Sequence, residues 1–156
     1  MTFKIRNMNE EAAIDILNWR YDPPYDFYNN ELNSDSMKEM LEDSYSFVLD
    51  QNDSLVGFFC IGGSAQVPVG RESDAYSEAL VDIGIGMKPE LTGKGYGTAF
   101  FSFVLEYVQD IFKGVPIRLT VANFNQRAIH LYEKFGFVQR AQFNKDTTAF
   151  ITMVKE

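Results

Sequence analysis

Residues 92–98 read Thr-Gly-Lys-Gly-Tyr-Gly-Thr and separate a run typical of a β-strand, residues 79–87, from a long amphipathic helix. In that helix apolar residues recur every three or four positions from Phe101 to Phe112, and it ends before Gly114. The start of a helix leaves about four backbone N–H groups unpaired and carries a partial positive charge, and glycines let an anion approach closely. The stretch therefore predicts a strand–turn–helix unit able to hold a phosphate group, although the same glycines could serve only a tight turn.

Two other phosphate-binding motifs do not fit this turn. A P-loop carries Ser or Thr after its lysine, but Lys94 is followed by Gly95. The dinucleotide-binding pattern that would begin at Gly84 needs a small residue where Pro89 stands, and no βαβ unit follows in the expected register. These two motifs are excluded, and a nucleotide-binding domain of another class stays as an alternative.

The chain around this unit alternates between strand and helix patterns. Asn9 can cap a helix that runs through Arg20 with Ile14 on its apolar face, and a second helix begins at residue 34 or 35. The other segments are strands at 3–5, 45–49, 55–61, 115–121, 137–143 and 147–154, a loop at 62–75 and a short helix at 126–135. The order βααβββαβαββ predicts an α/β (α+β) fold with a mixed, mostly antiparallel central sheet of about seven strands and helices on both faces.

A second motif follows the strand at residues 115–121 and reads NFNQRAIHLYEKFGF over residues 123–137. Asn125 can cap the helix, and Gly136 can end it in a left-handed conformation. His130 points away from the apolar face, so it is expected on the surface, and no set of metal ligands accompanies it. That face carries four positions at spacings of three and four: Ala128, Leu131, Tyr132 and Phe135.

Together the two motifs resemble the GNAT superfamily of N-acetyltransferases, and Asp82 is similar to an acidic residue of its RimJ/RimL-like members. The resemblance is carried by the glycine turn and by the pattern Asn-x-Arg-Ala-x-x-Leu-Tyr-Glu-Lys-x-Gly-Phe of residues 125–137. It covers residues 79–140 by motif and the remainder by the order of elements. One departure is Thr92, because the family's turn usually begins with Gln or Arg, and the missing side-chain contact implies somewhat looser cofactor binding.

The resemblance implies transfer of an acetyl group from acetyl-CoA to a primary amine, either a small-molecule amine or a peptide N-terminus. The amides of the turn would hold the pyrophosphate of coenzyme A, the end of the preceding strand would pair with the pantetheine arm, and an asparagine would contact the cofactor. The implied cofactor-binding residues are Ile85, Gly86, Met87, Thr92, Gly93, Lys94, Gly95, Tyr96, Gly97, Thr98 and Asn125. A non-catalytic acyl-CoA-binding regulatory or sensor module is the alternative.

Attack of an amine on a thioester needs a base, a partner for the carbonyl oxygen and an acid for the departing thiolate. The resemblance implies that Tyr132 is the general acid, and a tyrosine side chain has an ordinary pKa of about 10. Alternatively, Tyr132 could be a core residue without a catalytic role. A backbone N–H near Ile85 can serve the carbonyl oxygen. Asp82 is the first candidate for the base, Glu78 and a chain of waters are the alternatives, and Asp82 could instead be a structural, hydrogen-bonded carboxylate.

The acceptor is expected where aromatic and acidic residues are interleaved, in residues 19–29 between the first two helices. Tyr25, Asp26 and Tyr28 are the predicted substrate-binding residues, because ring faces and carboxylates attract a cation. The same residues could instead pack the corner between the two helices. A peptide N-terminus, a polyamine, an aminoglycoside and a small metabolite amine all fit as acceptors.

Composition limits the remaining classes of function. The chain has 156 residues, which fits the one acetyltransferase domain expected over residues 1–156. Its formal net charge of −8 at pH 7 favours a cationic acceptor and disfavours a nucleic-acid partner. No apolar stretch approaches the roughly 20 residues of a membrane span, so we expect a cytoplasmic protein without a membrane partner. Cys60 lies in an apolar run and is expected to be buried. No metal is expected, and a homodimer is possible.

Overall fold

The computed structural model describes residues 2–156. Its strands are β1 (Lys4–Asn7), β2 (Tyr45–Leu49), β3 (Leu55–Ile61), β4 (Val81–Met87), β5 (Ile117–Ala122), β6 (Val138–Lys145) and β7 (Thr148–Lys155). Its α-helices are α1 (Glu10–Leu17), α2 (Ser34–Glu42), α3 (Tyr96–Ile111) and α4 (Gln126–Lys134). The seven strands form a sheet in the order β1-β2-β3-β4-β5-β7-β6, in which β4 and β5 are parallel. The predicted order of elements and the mixed, mostly antiparallel sheet are confirmed.

The chain divides into two compact units. The first comprises the residues up to Cys60 together with Ile85–Glu106, and the second comprises Ile61–Gly84 together with Tyr107–Glu156. The single domain over residues 1–156 stays a prediction.

In the first unit, α1 begins as predicted and ends earlier than predicted. Asn9 caps it, because its Oδ1 accepts a hydrogen bond of 2.8 Å from the Ala12 N–H. The predicted end at Arg20 is wrong: the helix ends at Leu17, and the Arg20 guanidinium donates a hydrogen bond of 3.2 Å to the Leu17 carbonyl. A basic side chain thus satisfies a carbonyl of the last turn.

The core of the first unit also corrects one predicted position. Ile14 is 39% exposed, so its expected place on the apolar face is wrong. The buried face of α1 is rotated away from Ile14, and its residues pack with α2 and β2. The buried cluster consists of Ala12, Ala13, Ile16, Leu17, Trp19, Met40 and Phe47.

The hairpin of β2 and β3 has the predicted bounds. The Asp50 carboxylate accepts hydrogen bonds from the backbone N–H groups of Asn52 and Ser54 at 2.8 and 3.1 Å. Asp53 has a left-handed φ of 60°, and its ion pair with Lys4 at 2.7 Å lowers the pKa of its carboxyl. Local side-chain bonds therefore fix this turn.

In the second unit, β5 starts at Ile117 rather than at the predicted residue 115. Pro116 has no N–H to donate to a ladder, although its carbonyl accepts a hydrogen bond of 3.1 Å from Val81. The predicted loop at residues 62–75 contains two short 3-10 turns, Gly63–Ala65 and Pro68–Arg71. The predicted terminal hairpin of β6 and β7 is confirmed.

Candidate active site

The glycine turn joins β4 to α3 in the first unit, as predicted. After a 3-10 turn at Pro89–Leu91, Gly93 and Gly95 adopt left-handed φ angles of 72° and 84°. The Thr92 hydroxyl donates a hydrogen bond of 2.7 Å to the Pro89 carbonyl, so this side chain is engaged within the turn. A Cβ built on Gly95 would meet nothing within 4 Å. The turn therefore offers an unobstructed backbone at the start of α3, although phosphate binding itself stays a prediction.

The end of β4 presents backbone groups at two opposite edges. The Lys88 N–H donates a hydrogen bond of 2.8 Å to the Val56 carbonyl of β3. In a trans peptide the C=O and the N–H point in opposite directions, so the Met87 carbonyl points away from β3. Because backbone groups alternate along a strand, Ile85 presents its N–H and C=O at the same edge as Met87. We call this edge, away from β3, the outer edge of residues 85–87.

The ladder between β4 and β5 ends before β4 does. Its register joins residues 81–83 to residues 117–119, whereas β4 continues to Met87. The predicted pantetheine-binding residues 85–87 follow the last pair of this ladder. Their backbone can therefore offer a ligand the hydrogen bonds that a neighbouring strand would otherwise make.

Gly86 is required by packing on the β3 side. A Cβ at this position would collide with the Phe58 ring, and a Cβ on Gly57 of β3 would collide with the Gly86 carbonyl oxygen. The structure therefore gives Gly86 a steric role.

The helix motif lies in the second unit and has its predicted capping. Asn125 Oδ1 accepts a hydrogen bond of 3.1 Å from the Ala128 N–H, and Gly136 follows the helix with a φ of 91°. Tyr132 is 8% exposed, and its ring centroid lies 6.2 Å from that of Phe137. His130 is exposed, as predicted. Contact of Asn125 and Tyr132 with a cofactor stays a prediction.

Asp82, the first candidate for the base, lies in a buried ion pair of the second unit. Its Oδ1 and Oδ2 accept hydrogen bonds of 2.6 and 2.8 Å from Arg118, and Oδ2 accepts a third of 2.9 Å from Gln66. Asp82 and Arg118 are only 4% and 2% exposed. The bonds to Asp82 raise the pKa of the Arg118 guanidinium.

The Arg118 network extends to three further side chains. Arg118 lies over the Tyr76 ring, 4.9 Å from its centroid, and the Tyr76 hydroxyl is hydrogen-bonded to Thr120 at 2.8 Å. Arg71 donates a hydrogen bond of 2.8 Å to Gln66 Oε1. Sequence reasoning missed Arg118, although a lone arginine in the apolar run of residues 115–121 was a signal that a buried acid was needed.

Glu78, the alternative base, is also paired. Its carboxylate oxygens accept hydrogen bonds of 2.6 and 2.9 Å from Arg140. Arg140 also donates to Glu156 at 3.1 Å, and the two carboxylates raise the pKa of its guanidinium. The Glu78 side chain is 51% exposed, so water reaches this carboxylate more readily than that of Asp82.

The predicted acceptor residues lie in the first unit, in a 3-10 turn at Tyr25–Tyr28. Tyr25 and Tyr28 are half-buried and Asp26 is exposed. Asn29 Oδ1 accepts a hydrogen bond of 2.8 Å from the Tyr21 N–H, so residues 21–29 form a loop closed at its base. We call it the 21–29 segment.

Two further properties concern the described chain as a whole. Among residues 2–156, no group of three or more His, Cys, Asp and Glu side chains could hold a metal ion. None of the helices in that range has the length and apolar character needed to cross a bilayer.

The sequence matches the family model described as the acetyltransferase (GNAT) family over residues 11–137, which is most of the chain. The chain belongs to the GNAT family. The family membership makes it a GNAT-type N-acetyltransferase, as its motifs predicted. No curated protein sequence matches this GNAT chain.

Solved structures share its fold. A GNAT acetyltransferase from Bacillus anthracis matches with a TM-score of 0.71 and 16% identity, over 98% of this chain and 93% of that one. The spermidine/spermine N-acetyltransferase SpeG from Vibrio cholerae matches with a TM-score of 0.67 and 21% identity, over 98% and 91%. A chimera of that SpeG with hSSAT matches with a TM-score of 0.70 and 22% identity, over 97% and 93%. At these identities the likeness concerns the fold.

Proposed function

We propose that this GNAT protein transfers an acetyl group from acetyl-CoA to a primary amine that carries positive charge. One observation supports this most: an unobstructed glycine turn at the start of α3 follows the outer edge of residues 85–87, which lies past the end of the β4–β5 ladder. These features suit a diphosphate followed by an extended arm containing amides.

Different parts of coenzyme A are proposed to contact different residues. The amides of residues 93–98 hold the pyrophosphate, and residues 85–87 pair with the pantetheine arm through their backbone. Thr92 contributes its backbone, because its hydroxyl bonds to Pro89. Asn125 supplies a further contact, through groups other than the Oδ1 lone pair that caps α4.

Tyr132 is proposed to protonate the departing thiolate. A phenol is a suitable acid for a thiolate, because their ordinary pKa values lie within about two units of each other. The backbone N–H of Ile85 is proposed to stabilise the carbonyl oxygen as it gains charge.

The proton of the attacking amine has three proposed destinations: Asp82, Glu78 and a chain of waters. The contacts of Asp82 make it less suitable as the base than Glu78 or water. Both of its oxygens already accept hydrogen bonds from Arg118 and Gln66, and the residue is 4% exposed. Glu78 is more exposed but is held by Arg140. We propose transfer to water as the step most compatible with these pairings.

The acceptor is proposed to be a cationic amine, with the 21–29 segment as its binding region. A net charge of −8 attracts polycations, and Asp26 is exposed beside half-buried tyrosines. Two of the structural neighbours are named for spermidine, a polyamine, which is consistent with such an acceptor.

The test is release of free thiol from acetyl-CoA with a panel of polyamines, aminoglycosides and peptides. Tyr132→Phe should slow turnover on the order of 100-fold while retaining CoA binding, since general acid catalysis contributes at least that much. Tyr107→Phe, on an exposed tyrosine of α3, is the matched control and should be unchanged. Calorimetric binding of CoA without turnover of any amine would instead support the acyl-CoA-binding module.

A further inference from the structure

A side chain of the 21–29 segment is hydrogen-bonded to the end of β4. The Tyr21 hydroxyl donates a hydrogen bond of 2.7 Å to the Met87 carbonyl, and both residues belong to the first unit. The Tyr21 backbone N–H is at the same time bonded to Asn29, at the far end of the segment. Tyr21 therefore links both ends of the segment to β4.

The direction of the Met87 carbonyl shows which edge of β4 the Tyr21 hydroxyl contacts. The adjoining Lys88 N–H points to Val56 on β3, so the carbonyl that Tyr21 binds lies at the outer edge of residues 85–87. This is the edge along which the pantetheine arm is proposed to pair. A carbonyl oxygen has two lone pairs, so the Tyr21 bond leaves Met87 able to accept a second hydrogen bond.

Packing separates the role of the Tyr21 ring from that of its hydroxyl. The ring packs against the buried cluster of the first unit, which includes Trp19. Trp19 in turn contacts Phe58, with ring centroids 6.1 Å apart, and Phe58 is the ring that excludes a Cβ at Gly86. The ring can therefore keep its place in Tyr21→Phe, whereas the bond to Met87 is lost.

We propose that Tyr21 is a positioning residue that fixes the acceptor-binding 21–29 segment at the outer edge of residues 85–87. This rests on the proposed function, which places the cofactor arm at that edge and the amine at the segment. The hydroxyl sets the position of the amine relative to the arm, and it is not needed for holding CoA. The sequence offered no indication of this role, because the two residues are 66 positions apart.

The first test is kinetic and uses the full chain with the best amine of the panel. Loss of one hydrogen bond of about 1 kcal/mol should raise the KM for the amine in Tyr21→Phe about fivefold to tenfold. The calorimetric Kd for CoA should stay within about twofold, because the backbone of residues 85–87 remains in place. Tyr45→Phe is the matched control: it loses a tyrosine bond of 3.1 Å, to Glu39, in the same unit, and its amine KM should be unchanged.

The second test needs no turnover. Amides of the 21–29 segment should exchange with deuterium about fivefold faster in Tyr21→Phe than in wild type or Tyr45→Phe, because their attachment is weakened. Asn29→Ala, which opens the other end of the segment, should accelerate the same amides. Unchanged exchange in Tyr21→Phe would overturn the attachment.

The combined results separate the two proposals. Faster exchange with an unchanged amine KM would overturn the positioning role, and so would an equal rise in KM in Tyr21→Phe and Tyr45→Phe. If wild-type protein acetylates no amine, the proposed function fails and takes the positioning role with it, while exchange alone decides whether Tyr21 holds the segment.

Discussion

Gly95 has a φ of +84° with open space where a side chain would stand, so its backbone angle is what requires glycine. Gly114 offers a matched case after α3, with a φ of +79° and nothing within 4 Å of a built Cβ. Alanine at either position should lower the free energy of unfolding by about 1 kcal/mol, measured with urea. Only Gly95→Ala should also weaken CoA binding by calorimetry. Equal CoA affinity in the two variants would contradict the proposal that the glycine turn binds the cofactor.

Asp82 and Arg118 form a buried pair in which each partner depends on the other. Asp82→Asn leaves a buried guanidinium without its counter-charge and should lower the free energy of unfolding by about 3 kcal/mol. Glu78→Gln breaks an exposed pair with Arg140 and should lower the free energy of unfolding much less than Asp82→Asn does. Urea denaturation of both variants checks this, and similar losses would contradict the structural role assigned to Asp82.

At the level of elements, α3 and the hairpins were predictable because their apolar spacing and turn residues are local signals. The start of α1 at Asn9 was predictable for the same reason, whereas its end was not, because the Arg20 side chain folds back onto the Leu17 carbonyl. The turn, the cap at Asn125 and the exposed His130 followed from the sequence. The partners of Asp82 did not, because Arg118 is 36 positions away and the pairing depends on the parallel register of β4 and β5.

The β2–β3 hairpin carries a tyrosine whose ionisation is suppressed by the fold. Burial raises the pKa of Tyr45 far above its ordinary value of 10.0, and the neighbouring Cys60, buried as predicted, and Glu39 add to the shift. The folded state keeps this proton at a pH where the unfolded chain releases it. Stability is therefore retained below about pH 10 and falls as the pH rises above it.

Urea denaturation between about pH 9 and about pH 11 checks this linkage. Wild type should lose stability across that range more steeply than Tyr45→Phe, which has no proton to lose at this position. Parallel curves for the two proteins would show that Tyr45 ionises as readily in the folded state as in the unfolded chain.

At the scale of the whole molecule, the three solved structures compared above have 16% to 22% identity with this chain, so their likeness defines the fold and not the acceptor. The proposed function places the cofactor on backbone groups of the first unit. Every non-proline residue supplies a backbone N–H and C=O, so a cofactor site built from main-chain groups at a helix start is predicted more directly from the motifs than the acceptor site is.

The most direct measurement is amide hydrogen exchange with and without saturating CoA, resolved to single residues. We predict slower exchange at residues 93–98 and at Met87, because the cofactor would accept hydrogen bonds from these backbone N–H groups. Binding of CoA that leaves the exchange of all these amides unchanged would contradict the claim that the start of α3 and the outer edge of β4 hold the cofactor.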